Sequence, residues 1–212
     1  MICPQCQGVE EVFDEKHVTS QLRRYRRRGP ARTTRVLTDA MVKEGVAGLT
    51  MIDIGGGLGA VQHALLEVGV QDVTSVDAST AYLAAAKSEA RRRGYAERVT
   101  YQHGNFVDLA EDIPPADIVT LDRVICCYHD MENLVSLSAT HARKLYGLVY
   151  PRDTWWIKII LAIGNLYLRL RGSPFRTFAH PTARVEDLLK EKGLNCHFYS
   201  RTLAWQVAVF SR

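Results

Sequence analysis

Met51-Ile52-Asp53-Ile54-Gly55-Gly56-Gly57-Leu58-Gly59, followed further on by Val73-Thr74-Ser75-Val76-Asp77, is the stretch from which the fold of this chain is read. An apolar run ending in a carboxylate, a glycine-rich turn, a helical stretch and a second apolar run ending in a carboxylate describe a strand-loop-helix-strand unit that holds a nucleoside-like ligand. Gly55, Gly57 and Gly59 let the backbone turn sharply and approach a ligand where a Cβ would collide. Asp77, with Ala78 beside it, closes the second strand, where a carboxylate can accept both hydroxyls of a ribose.

Two cofactors suit this spacing. Read as Gly55-x-Gly57-x-x-Ala60, the loop passes the looser nicotinamide fingerprint. Read as Asp53-x-Gly55-x-Gly57-x-Gly59, it resembles the S-adenosylmethionine loop of class I methyltransferases. Helix-like sequence up to Lys43 precedes the loop, as a methyltransferase lid commonly does, whereas a nicotinamide fold usually opens near the start of its chain. The carboxylate of Asp53 suits a ligand with a cationic aminoacyl end and a sulfonium, and it would repel a pyrophosphate. The resemblance implies an α/β, Rossmann-like fold: a mostly parallel seven-stranded sheet with an antiparallel C-terminal edge hairpin and a helical N-terminal lid. It also implies that Asn105 meets the adenine amino group, that Phe106 lies beside the ring, and that Asp122 reaches the cleft from a fourth strand. Many relatives carry Asp where this chain has Asn105; an amide oxygen still accepts from an exocyclic amine.

With 212 residues and 47% hydrophobic content, the chain suits one α/β domain. Its expected parts are a lid (1–45), a cofactor-binding core (46–150), an apolar insertion (151–182), and a last helix with the edge hairpin (183–212). The net charge of +4 is concentrated at Arg23, Arg24, Arg26, Arg27, Arg28, Arg32 and Arg35, so that segment faces something acidic. No charged segment leads into an apolar core at the start of the sequence, and the glycine-rich domain resembles cytosolic enzymes; a cytoplasmic location and reduced cysteines are expected.

Asp14 to Lys43 reads as two helices broken at Gly29-Pro30, laid over the mouth of the cleft. The core then alternates: strand Leu49–Ile54, helix Gly59–Val68, strand Val73–Val76, helix Thr80–Arg93, strand Val99–His103, strand Ile118–Leu121, helix Met131–Leu145 and strand Tyr146–Tyr150. Asn195–Leu203 and Trp205–Ser211 read as the edge hairpin. Trp155 to Leu168 is an apolar helix shorter than the roughly twenty residues a bilayer span needs. It either roofs an apolar substrate pocket, or makes a peripheral membrane contact or a partner contact, or is ordinary core.

From Leu121-Asp122-Arg123-Val124-Ile125-Cys126-Cys127-Tyr128-His129-Asp130 through Tyr150-Pro151-Arg152, Phe175-Arg176 and His180-Pro181, the chain resembles magnesium-protoporphyrin O-methyltransferases. In that family the acceptor is a propionate carboxylate on a flat tetrapyrrole, which an apolar roof with cations at its rim would suit. His129 stands where that family more often has Pro.

Methyl transfer is an in-line displacement on an activated sulfonium, so positioning supplies most of the acceleration. For a carboxylate acceptor the expected orienting groups are Arg123, Arg152 and Arg176, with His129 and His180. For a hydroxyl, His129 or His180 becomes the base, and Tyr128 positions either acceptor. The bland readings stand beside these: His129 as a helix cap, His180 as a turn residue, and Cys126 and Cys127 as buried hydrophobes. Tyr25, in a basic helical neighbourhood, reaches the cofactor's carboxylate or packs the lid. Cys3-x-x-Cys6 is half of a zinc spacing with only His17 nearby, and a flexible reduced terminus is the simpler reading.

The acceptor is therefore expected to be a small, largely apolar molecule bearing a carboxylate or hydroxyl. An RNA methyltransferase using the arginine cluster ranks second, but only Tyr25 interleaves that cluster. A nicotinamide oxidoreductase and a non-catalytic binding module complete the alternatives.

Overall fold

Along each central strand the apolar side chains alternate between two clusters, which is how a sheet covered on both faces reads at two-residue period. The computed structural model describes residues 4–212. On β1 (Thr50–Ile54), Ile52 and Ile54 enter one cluster and Met51 the other; on β4 (Ala116–Asp122), Val119 and Leu121 separate from Ile118 in the same way. The remaining strands are β2 (Asp72–Asp77), β3 (Val99–His103), β5 (Ala142–Pro151), β6 (Asn195–Arg201) and β7 (Trp205–Ser211), in the sheet order β3-β2-β1-β4-β5-β7-β6. β1 to β5 pair in parallel, and β7 runs antiparallel to both β5 and β6. The expected seven-stranded fold class is the observed one. The chain leaves β1 toward β2 and β3, then returns to add β4 on its other side, so the cleft of an open α/β sheet falls at the carboxyl end of β1.

One face is covered by α7 (Met131–His141) and α9 (Thr182–Glu191), which bury Leu134, Val135, Leu188 and Leu189. The other is covered by α3 (Arg32–Lys43) and α4 (Ala60–Glu67), where Leu37, Met41 and Leu65 have no exposed surface. Each of these side chains contributes about 1.5–3 kcal/mol by leaving water. Beside α4, α5 (Thr80–Arg93) begins on a Ser79 cap and ends at Gly94. α6 (Phe106–Leu109) is a single turn after β3.

Several boundaries differ from the expected ones. Helix α7 stops at His141 because Ala142 is already opposite Ala116 in the β4–β5 ladder, so the expected helical end through Leu145 is strand. The segment after Met1 to Cys3 is a helix, α1 (Pro4–Val12), rather than a flexible terminus. Cys3 lies outside the described residues, and the zinc reading of Cys3 and Cys6 lies outside them with it; among the described residues no group of three metal-binding side chains assembles.

The expected helices of the lid form as α2 (Glu15–Arg28), capped by Asp14, and α3. Neither roofs the cleft along its length. α2 lies along α5, tied by Arg26 to Glu89, and α3 packs on β5, β7 and α4. The insertion forms α8 (Trp155–Leu170), followed by a return strap through Phe175 and His180. Asn165 fixes the strap, donating to the Thr177 carbonyl and accepting from its amide. The apolar stripe of α8 does not roof a pocket: Trp155, Ile159, Ile160, Ile163, Leu166, Tyr167 and Leu170 face outward.

Candidate active site

The loop after β1 begins at Gly55, whose N–H donates to the Val76 carbonyl (2.7 Å), binding the turn to β2. Gly55 has φ of +61°, and a Cβ there would stand 2.5 Å from Val124 Cγ2. The glycine is therefore required twice, for its backbone conformation and because the turn after β4 presses against it. Gly57 and Gly59 also have positive φ, and Gly59 opens α4.

Asp77 closes β2 beside this loop. Its Oδ2 accepts from Gly57 N–H (2.9 Å) and its Oδ1 from Ser79 N–H (2.8 Å). Burial raises its pKa, against the lowering effect of those two amides. The ring of Tyr82 lies over Gly57, and its hydroxyl donates to Gln21 Oε1 (3.0 Å). Burial, with Asp77 nearby, pushes that phenol up to about 12.

Asp53 lies beneath the loop, buried rather than facing open cleft. Its Oδ1 accepts from Thr120 Oγ1 (2.6 Å), and its Oδ2 has no hydrogen-bond partner. Burial pushes this carboxyl up to about 7, with Asp122 and Asp77 adding repulsion and the Thr120 hydroxyl opposing it.

The end of β4 supplies the opposite wall. Arg123 adopts φ of +64°, a conformation that costs a non-glycine residue about 1–2 kcal/mol and marks a position held by its surroundings. Its amide donates to the Val149 carbonyl, and its guanidinium pairs with Asp122 (3.0 Å) and donates to Thr34 Oγ1 (3.3 Å). The adjacent Asp122 carboxylate holds the Arg123 guanidinium charged although burial opposes this. Asn105 caps α6 and donates from Nδ2 to the Tyr128 hydroxyl (3.0 Å), joining the ends of β3 and β4.

Other expected residues are turned elsewhere. Phe106 is core, edge-on to His141 (5.4 Å, 79°). Tyr25 packs on α5 with Arg93 over its ring (5.3 Å). Arg152 donates to the Leu203 carbonyl, and Arg176 to the Ser173 and Phe175 carbonyls. His180 Nε2 donates to the carbonyls of Ile125 (2.9 Å) and Tyr128 (3.0 Å), and burial lowers its pKa. His129 is exposed and stacks on Tyr128. The Ala78 carbonyl accepts from His103 Nε2.

The geometry thus joins a glycine turn, a strand-end acid and a cation-bearing turn at one switch point. Residues 51–145 match the family described as a methyltransferase domain. The chain is matched there over less than half of its length. It is 31% identical over 137 residues to a ribosomal protein L11 methyltransferase of Alteromonas mediterranea, a match covering 60% of this chain and 46% of that protein. The chain thus spans less than half the length of that curated relative. The solved structure of a magnesium protoporphyrin IX methyltransferase from Synechocystis with bound SAH is similar with a TM-score of 0.73 at 19% identity, covering 96% of this chain and 98% of that one. A 4+2 cyclase is similar with a TM-score of 0.71 at 12% identity, covering 100% and 97%. At these identities the likeness is one of fold, and the cyclase shows that this fold serves more than one chemistry.

Sequence reasoning missed what covers this site. α1 reaches from the turn after β2 to the turn after β4. Glu10 accepts from the amide (2.9 Å) and hydroxyl of Thr80, while Gln5 donates to the Cys127 and Arg176 carbonyls. A Cβ on Gly8 would stand 2.5 Å from the Phe175 amide, so only glycine allows α1 to seat against the strap. Phe13 adds ring contacts to Tyr82 and Phe175. Little in the sequence signals this: α1 is short, and its docking residues find partners across the whole chain.

Proposed function

We propose that this protein is an S-adenosylmethionine-dependent methyltransferase acting on a carboxylate or hydroxyl oxygen of a small, largely apolar molecule. The observation that carries the reading is the hydrogen bond of Gly57 to Asp77, which brings the glycine turn and the strand-end acid into one site.

The residues present fit the cofactor. Asp77 would take the ribose hydroxyls, and Asn105 the adenine amine through its amide oxygen. Asp53, buried beneath the loop with an unpartnered oxygen, would lie under the aminoacyl end, and a cation bound there would favour its ionised form. When bound, S-adenosylmethionine supplies a methyl group on a sulfonium, already activated for displacement.

The chain's own residues then position and shield. Arg123 orients an anionic acceptor, held in place by Asp122 and Thr34. Such a carboxylate is ionised at neutral pH and needs no base. For a hydroxyl acceptor, His129 or His180 is the base: His180 donates from Nε2 to two backbone carbonyls, which leaves Nδ1 as the nitrogen that can take a proton. Phe13 and Tyr82 exclude water from above the loop, and positioning of this kind contributes up to about 7–11 kcal/mol.

Calorimetry with S-adenosylhomocysteine and NAD side by side tests the cofactor assignment: the first binds and the second does not. The reverse result overturns it. The exposed Arg23, Arg24, Arg27 and Arg28 of α2 support a second reading, methylation of RNA. Turnover on bulk RNA, with binding that falls steeply as salt rises, would select that reading instead.

A further inference from the structure

The outward stripe of α8 is the largest run of exposed apolar side chains on the described surface. Trp155 is 74% exposed, Ile163 64% and Leu170 79%, on a helix whose opposite side buries Ile157. At about 100° per residue, Trp155, Ile159, Ile160, Ile163, Leu166, Tyr167 and Leu170 fall within one sector of roughly 140°. On the same projection Lys158 and Arg169 flank one edge of that sector and Arg171 the other, and all three are exposed. Between Asp153 and Glu186 the sequence has no Asp or Glu.

We infer that α8 docks the protein on an anionic lipid bilayer, lying in the interface with the stripe Trp155–Leu170 inserted and Lys158, Arg169 and Arg171 at the level of the headgroups. The helix has 16 residues, and no helix among the described residues is long and apolar enough to cross a membrane, so an in-plane orientation is the one its length allows. Trp155 at one end and Tyr167 near the other place amphipathic rings where the bilayer interface favours them. Charge selects the lipid over a second copy of the chain. Two such faces brought together would set cations against cations with no carboxylate on the helix or strap to neutralise them, whereas an anionic leaflet neutralises all of them. This inference does not rest on the methyltransferase reading.

The test is co-sedimentation of the full chain with vesicles of phosphatidylcholine alone and of phosphatidylcholine containing phosphatidylglycerol. The protein is expected to sediment with the anionic vesicles. Lys158→Gln/Arg169→Gln/Arg171→Gln should lower that partitioning on the order of a hundredfold. Ile160→Asp/Ile163→Asp should abolish it. Both substituted positions face solvent, so the melting temperature should stay within a few degrees of the parent, showing that the loss is not unfolding. Equal sedimentation of the parent and both variants, or none with either vesicle, overturns the proposal. So does a lipid-free dimer of the parent, seen by analytical ultracentrifugation, that Ile160→Asp/Ile163→Asp dissociates: the stripe is then a contact between copies.

Discussion

The Gly57 amide donates to one oxygen of Asp77 at 2.9 Å while the Ser79 amide donates to the other at 2.8 Å, so one carboxylate ties the glycine turn to the start of α5. The acid expected to bind a ribose thus also organises the loop. Asp77→Ala leaves two donors without partners, at about 1–3 kcal/mol each. It should lower the melting temperature as well as remove S-adenosylhomocysteine binding, and Asp77→Asn should melt in between. A variant Asp77→Ala that melts like the parent would show that the carboxylate does not hold the turn.

Asp53 should make stability depend on pH in the direction opposite to an ion-paired acid. Its carboxyl is raised from 3.8 to about 7 in the folded state. Its contribution is therefore complete below about pH 4 and is lost as pH rises through 7. Between pH 5 and pH 8, urea unfolding should show the parent losing about 2–3 kcal/mol relative to Asp53→Asn. Parallel stability curves for the two proteins would rule this out.

Arg123 combines a left-handed backbone with a cation in the cleft, and two substitutions separate these roles. Arg123→Ala removes the guanidinium and keeps the strain; Arg123→Gly removes both. Acceptor turnover should fall equally in the two, by roughly tenfold to a hundredfold in kcat/KM for one charge-assisted contact of about 1.5–3 kcal/mol. The glycine variant should be the more stable by about 1 kcal/mol. Unequal turnover would mean that the backbone conformation, not the charge, matters to the acceptor.

Glu89 is a buried carboxylate held by Arg26, Arg92 and Arg93 at 2.9, 2.5 and 2.9 Å. The Arg92 hydrogen bond, aided by those of Arg26 and Arg93, lowers its pKa from 4.5 to about 2. The stability it gives is present above about pH 4.5 and is lost as pH falls through 2. Glu89→Gln should cost about 1–2 kcal/mol at pH 7, a figure reduced because the arginines stand partly in water. Chemical denaturation at pH 7 and pH 3 checks this: a deficit that does not shrink in acid would place the effect in packing.

The strand, glycine turn and acid from Met51 to Asp77 were legible because each is set by its own neighbours: alternation of apolar side chains, glycines at positive φ, and a carboxylate where a strand ends. The break between α2 and α3 at Gly29-Pro30 and the edge hairpin were legible for the same reason. The end of α7 was not, because Ala142 becomes strand only when β4 lies beside it. The directions of Arg152, Arg176 and His180 were not either, since they are settled by carbonyls that folding brings within reach. Phe106 has the composition of a ring-side residue and the position of a core residue, and His141 decides between them. The fold and the acid-and-glycine frame follow from residue preferences that act over a few positions along the chain. What closes over that frame, and which polar groups stay free to work, is settled by long-range packing, because a buried donor or acceptor takes its partner from whatever distant segment is brought against it.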